Sequence, residues 1–182
     1  LCSMLGYGKI AYVDLTDKQV EVVDVDEEMV FKYIGGRGWA AYIIFKNLDQ
    51  IIHGTHPSNV LVVATGPLDG TIFKGGSKTT FAAISPLTGI YGDSIVGGHL
   101  GSMMRGAGID ALVIKGASQE PCYLLVEDGQ VEVESAEGLW GLHSRDADRK
   151  LREIHGDCSI ATIGIAGEKL VSFACINVDW DL

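Results

Sequence analysis

Glycine punctuates this chain from end to end, 24 times in 182 residues, nearly twice the usual share of about 7%. The glycines do not make a flexible tract. They fall singly or in pairs between short apolar runs, the pattern of tight turns and of places where backbone approaches something closely. A chain divided this way predicts many short elements. At 47% hydrophobic residues it has material for a core, and a domain of this length buries about 70% of the surface its unfolded chain would expose. The length suits one domain or two small halves packed together.

Between the glycines the elements are legible. Lys9 to Leu15 is rich in strand formers, and after Thr16-Asp17-Lys18 the stretch Gln19 to Val25 alternates apolar and polar with period two, which predicts a β-hairpin. Asp26-Glu27-Glu28 places acids in the first turn of a helix. Gly35-Gly36-Arg37-Gly38 breaks it, as a plain interruption in which the arginine pairs an acidic neighbour. A second helix, apolar on most faces and so expected to be buried, runs from Trp39 to Leu48. His53 to Asn59 reads as loop, and Val60 to Ala64 as a strand covered on both faces. Further on, Cys122 to Val126 and Gln130 to Glu134 flank Glu127-Asp128-Gly129, a second hairpin with Asp-Gly at its turn. Ser144 to Ile154 reads as a charged helix, followed by Ser159 to Gly164 and Leu170 to Ile176.

The order hairpin, helix, strand, glycine turn, strand therefore occurs twice. Gln19-Val20-Glu21-Val22 matches Gln130-Val131-Glu132-Val133, and Phe81-Ala82-Ala83-Ile84 matches Phe173-Ala174-Cys175-Ile176. The expected fold is α+β and strand-rich, with two internally repeated half-domains, about 6–115 and 120–179, sharing a core.

Net charge is −10. An acidic surface repels phosphate backbones, so nucleic acid is excluded as the expected partner. Cys2, Cys122, Cys158 and Cys175 are widely spaced without a C-x-x-C pair, which argues against a disulfide framework and for a reducing, cytoplasmic setting. It also argues against a metal cluster bound by this chain alone. His53, His56, His99, His143 and His155 show neither zinc spacing nor i, i+4 pairing. No apolar run approaches the ~18 residues of a membrane span, and Leu1-Cys2-Ser3 lacks the design of a signal peptide, with Met4 fitting as a natural start.

The densest chemical signal runs from Gly66 to Gly108. Gly66-Pro67-Leu68-Asp69-Gly70-Thr71 is a turn after a buried strand. Lys74-Gly75-Gly76-Ser77-Lys78 precedes the strand Thr79 to Ile84. Ser85-Pro86-Leu87-Thr88-Gly89 and Gly92-Asp93-Ser94-Ile95-Val96-Gly97-Gly98 follow, and a helical stretch runs from His99 to Arg105. Glycine pairs expose backbone N–H groups to a planar or anionic ligand, and Gly97-Gly98 ahead of a helix favours phosphate. The spacing fits neither of the two common nucleotide-binding glycine motifs, and no nucleophile elbow is present. The residues alone describe a glycine-rich ligand platform without a self-contained catalytic centre.

The succession Gly35-Gly36-Arg37-Gly38-Trp39-Ala40, Ala64-Thr65-Gly66-Pro67-Leu68, Ser85-Pro86-Leu87-Thr88-Gly89, Gly97-Gly98, Arg105-Gly106-Ala107-Gly108-Ile109-Asp110-Ala111 and Ile163-Gly164-Ile165-Ala166-Gly167-Glu168 resembles the aldehyde:ferredoxin oxidoreductase family, from about Gly6 to Asp179. The resemblance implies an N-terminal domain that forms a base under a bis-molybdopterin cofactor holding tungsten, or molybdenum in some members. Later domains, expected beyond Leu182, would supply a [4Fe-4S] cluster and the groups near the aldehyde. The complete protein would oxidise aldehydes to carboxylic acids and pass electrons to ferredoxin, and a homo-oligomer is compatible with it. The chain alone is expected to be inactive and to hold no cofactor.

Carried over by position, the resemblance implies cofactor contacts at Gly76, Ser77, Lys78, Ile95, Gly97 and Gly98. Two positions depart from it. Lys78 stands where the family often has arginine, keeping the charge but losing the planar fork. Ile95 stands where asparagine is usual, which preserves a backbone carbonyl contact to a bridging Mg²⁺ but not an amide one. These departures leave a second reading open, a stand-alone binding or scaffold domain of the same fold without redox activity. Lys74–Lys78, Ile95–Gly98 and the chain end near Leu182 are expected to converge on one face.

Overall fold

The computed structural model describes residues 6–48 and 52–180; Cys2, Met4 and Leu182 lie outside them. The first hairpin forms as read, β1 (Lys9–Asp14) against β2 (Gln19–Asp24), closing at Asp14 opposite Gln19. Asp26 caps helix α1 (Glu27–Tyr33), its side chain accepting from the Glu28 N–H, with Glu27 and Glu28 in the first turn, where acids suit the helix N-terminus. Helix α2 spans Gly36–Asn47, so it begins inside the glycine stretch rather than after it. Only one face is covered: Trp39, Ala40, Ile43 and Ile44 are buried, while Phe45 is 81% exposed.

Strands β3 (Leu61–Ala64), β4 (Thr79–Ile84), β5 (Tyr91–Val96) and β6 (Ala111–Lys115) join the hairpin in one six-stranded sheet, ordered β2-β1-β6-β3-β4-β5. Only the β1–β6 pair is parallel. Helix α3 (Leu100–Gly106) links β5 to β6. The second hairpin, β7 (Cys122–Glu127) and β8 (Gln130–Ser135), stands as a separate two-stranded sheet. Its turn residues have φ 47° at Asp128 and 77° at Gly129, the left-handed pair that a two-residue hairpin loop requires. Helix α4 (Ser144–His155), the short strand β9 (Ala161–Thr162), helix α5 (Gly164–Glu168) and strand β10 (Asn177–Val178) complete the chain.

The protein is mixed α+β and strand-rich, as expected, in layers. Alternate residues of the large sheet point to opposite faces, and both faces are covered. On one, Ile10, Val62, Ala64, Ala82 and Val113 pack under α1 and α2. On the other, Val13, Val63, Phe81 and Leu112 meet α3 and the β7–β8 hairpin. A small third cluster, Ala136, Leu139, Leu151 and Ile160, serves α4 and its neighbours.

The repeat expected from the sequence differs from what is seen. The two Gln-Val-Glu-Val runs occupy equivalent places, each opening the second strand of a hairpin, and their valines 20, 22, 131 and 133 share one cluster. The copies diverge after that. Phe81 to Ile84 lies in the large sheet, whereas Leu170 to Ile176 is not a strand, with Leu170 74% and Phe173 76% exposed. Ser159 to Gly164 contributes only the two residues of β9. An apolar run becomes a strand only where a neighbouring strand accepts its backbone, and among the described residues no strand pairs with 170–176.

Candidate cofactor-supporting site

The two glycine-rich segments named from the sequence are brought together by a strand that the sequence pattern does not announce. Strand β5 pairs antiparallel with β4, Thr79 opposite Val96 and Thr80 opposite Ile95, so the residues just before β4 and just after β5 are neighbours. Ser77 Oγ donates to the Gly98 carbonyl at 2.7 Å. A side chain added at Gly97 would begin 3.4 Å from Lys78 Nζ. Gly98, at φ 98°, turns the chain towards α3 in a conformation that other residues rarely adopt. Its Cα face looks towards Asp179, whose Oδ2 would lie 4.0 Å from an added Cβ. The C-terminal segment thus reaches this place at Asp179, while Leu182 lies outside the described residues.

Lys74 and Lys78 are exposed, and among the described residues neither ammonium has a protein partner. Ile95 is 45% exposed on the outer strand of the sheet. Gly76 serves its own loop instead. A Cβ added there would come within 2.9 Å of Leu68 Cβ and 3.0 Å of the Phe73 carbonyl, so the loop closes only around a bare Cα. The tip of that loop presents Ile72, 97% exposed, and Phe73, 64% exposed. Helix α3 begins at Leu100 with His99 as its cap, and His99 makes no side-chain capping bond.

What fixes the loops is a polar frame that sequence reasoning did not single out. Asp69, 2% exposed, accepts the Gly66 N–H at 2.7 Å through Oδ2 and the Lys78 N–H at 2.6 Å through Oδ1. Arg105 donates to the carbonyls of Gly66, Pro67 and Asp69 at 3.2, 3.1 and 3.1 Å and to that of Gly6 at 2.8 Å. Its guanidinium lies 4.9 Å from the Tyr7 ring centre. It also pairs with Asp110 at 3.3 Å, and Asp110 Oδ2 accepts from the N–H groups of Gly8 and Lys9. Burial pushes the Asp110 carboxyl above its ordinary range, against the pull of those two N–H bonds and of Arg105. The acid in the Gly66-Pro67-Leu68-Asp69 turn was the available signal, since a carboxylate there can reach back to the turn's first N–H.

The Gly35-Gly36-Arg37-Gly38 stretch is not part of this site. Arg37 pairs with Asp93, as the plain reading expected, and an added Cβ at Gly38 would fall 2.1 Å from the Tyr33 carbonyl. Gly38 lets α1 and α2 pack closely, while Gly35 clears the Tyr7 hydroxyl and the Thr65 carbonyl. Among the described residues no group of His, Cys, Asp and Glu side chains is placed to hold a metal ion. Cys122, Cys158 and Cys175 carry free thiols, and among the described residues no helix is long and apolar enough to cross a membrane.

The chain that folds this way matches a known domain. Residues 10–181 fit the model of the aldehyde ferredoxin oxidoreductase N-terminal domain. The chain belongs to the aldehyde ferredoxin oxidoreductase family. It is 35% identical over 176 residues to the tungsten-containing aldehyde ferredoxin oxidoreductase of Pyrococcus furiosus, covering 96% of this chain and 29% of that protein. The Pyrococcus abyssi protein of the same name is 38% identical over 176 residues, with 95% and 29% covered. Among solved structures, the active site complex BamBC of benzoyl coenzyme A reductase, with 1,5-dienoyl-CoA, superposes at a TM-score of 0.91 with 30% identity. That match covers 95% of this chain and 27% of the other. The chain therefore spans under a third of the length of its relatives.

Proposed function

We propose that the face formed by Lys74–Lys78 and Ile95–Gly98 supports one side of a tungsten bis-molybdopterin in a cytoplasmic oxidoreductase of which this chain is the N-terminal domain. The residues present fit such a group. Lys78 is a free, exposed cation on a chain of net charge −10, suited to the phosphates of a pterin. Gly97 leaves open the space beside its ammonium, and Ser77 holds the two turns together.

When bound, the cofactor would supply two-electron chemistry on an aldehyde, with electrons leaving through a [4Fe-4S] cluster to ferredoxin. This domain's residues do something narrower: Lys78 balances charge, the glycines admit the group closely, and the sheet keeps the platform rigid. A relative of the same fold is named for benzoyl coenzyme A reduction, so substrate choice is assigned to the parts of the protein outside these residues. The observation that carries the reading is the meeting of Lys78 with Gly97 at the sheet edge. In the full-length protein, Lys78→Ala should weaken cofactor retention by about tenfold or more, the scale of a lost charge-assisted contact. Lys18→Asn, in the first hairpin turn, should leave tungsten per chain unchanged. Equal tungsten in the two variants removes Lys78 from the site.

A further inference from the structure

The polar frame beneath the platform contains one group that joins the Gly66 turn, Lys78 and helix α3. The Asp69 carboxylate binds the first N–H of the Gly66 turn and the backbone N–H of Lys78, one on each oxygen. It also lies against α3: a Cβ added at Gly101 would fall 2.7 Å from Asp69 Cγ and Oδ2, and 2.6 Å from Thr79 Oγ1. Gly101 follows the Gly97-Gly98 turn by three residues. A single buried carboxylate thus closes the loop from Gly70 to Ser77 at its base and abuts the helix that carries the second turn. From behind, Arg105 grips the Asp69 carbonyl itself together with those of Gly66 and Pro67.

We infer that Asp69 is the positioning residue of the platform, fixing the Lys78 backbone, and so its ammonium, against Gly97. The inference rests on the reading of Lys78 given above. The requirement is an acceptor on both oxygens, because both partners are N–H donors. Asparagine has the same shape and supplies only one, turning the other contact into donor against donor. Alanine would leave two buried N–H groups without a partner, a larger loss.

The test uses the full-length, cofactor-loaded protein and two readouts, backbone amide exchange and tungsten per chain after dialysis against a chelator. Asp69→Asn should speed exchange at Lys78 or Gly66 by about tenfold or more and lower tungsten retention. Combined with Lys78→Ala it should lower tungsten no further than Lys78→Ala alone, because its effect passes through Lys78. Gly101→Ala, which pushes the carboxylate aside while leaving it in the sequence, should give the same pattern and serves where Asp69→Asn folds poorly. Unchanged exchange at both amides overturns the inference. So does an equal tungsten loss from Asp69→Asn with and without Lys78→Ala, since a general loosening of the fold adds independently. Fast exchange in Asp69→Asn with full tungsten in Lys78→Ala supports the clamp and overturns the cofactor reading, so the two failures are told apart.

Discussion

Ile34 closes helix α1 at φ 67° and ψ −57°, with the Gly35 N–H donating to the Tyr33 carbonyl at 2.7 Å. A β-branched residue in that three-residue turn is strained by about 1–3 kcal/mol. The surroundings impose it, since Gly35 must pass the Tyr7 hydroxyl, 2.2 Å from where its Cβ would stand, and Gly38 must pass the Tyr33 carbonyl. Ile34 is 59% exposed, so little burial opposes its replacement. Ile34→Gly should therefore raise the melting temperature, by up to about 1 kcal/mol of stability; a lower melting temperature in calorimetry would show that the turn is unstrained. At this scale the sequence was informative where the constraint is local. The glycine break and the Arg37 partnership were readable in the tetrapeptide and its charge. For Asp69 only the reach back to the Gly66 N–H was local; its other contacts, nine residues ahead at Lys78 and on α3, come to it through tertiary structure, the first through the β3–β4 pairing that sets Ala64 opposite Thr80.

Elements with a clear period were readable, and those defined by their neighbours were not. Both hairpins followed from alternation and turn chemistry, and the Asp128-Gly129 turn docks where expected of a tight loop, with the Gly129 N–H donating to the Ala107 carbonyl at 2.6 Å. Strand β5 was not legible, because Tyr91-Gly92-Asp93-Ser94-Ile95-Val96 has no alternation and none of its residues is buried; its pairing with β4 alone makes it a strand. The run 170–176 misled in the opposite sense, apolar without a strand beside it. Glycines separate along the same line. Gly129 and Gly106 both have open space where a Cβ would go, but Gly129 sits at φ 77° and Gly106 ends helix α3 in ordinary helical backbone. Gly129→Ala should cost about 1 kcal/mol, and Gly106→Ala should stabilise by up to about 1 kcal/mol, both read by denaturant unfolding. Equal effects would contradict the turn geometry.

At the scale of the molecule, one six-stranded sheet carries helices on one face and the second hairpin with α3 on the other, and its β4–β5 edge presents the two glycine turns. Apolar groups are exposed in the same segments: Leu68, Ile72, Phe73 and Ile95 in and beside the loops, Leu170, Phe173 and Trp180 in the C-terminal stretch. In relatives more than twice as long as this chain, such surface is what further domains would cover. The family was legible in the order of its glycine motifs. The platform was legible in part, as two segments whose meeting required β5, and the polar frame beneath it was visible only in three dimensions. The most direct measurement is an anomalous difference map of the full-length protein at the tungsten absorption edge. A single strong peak is expected above the face where Lys78 meets Gly97. A tungsten peak on the opposite side of the sheet, against α1 and α2, would contradict it.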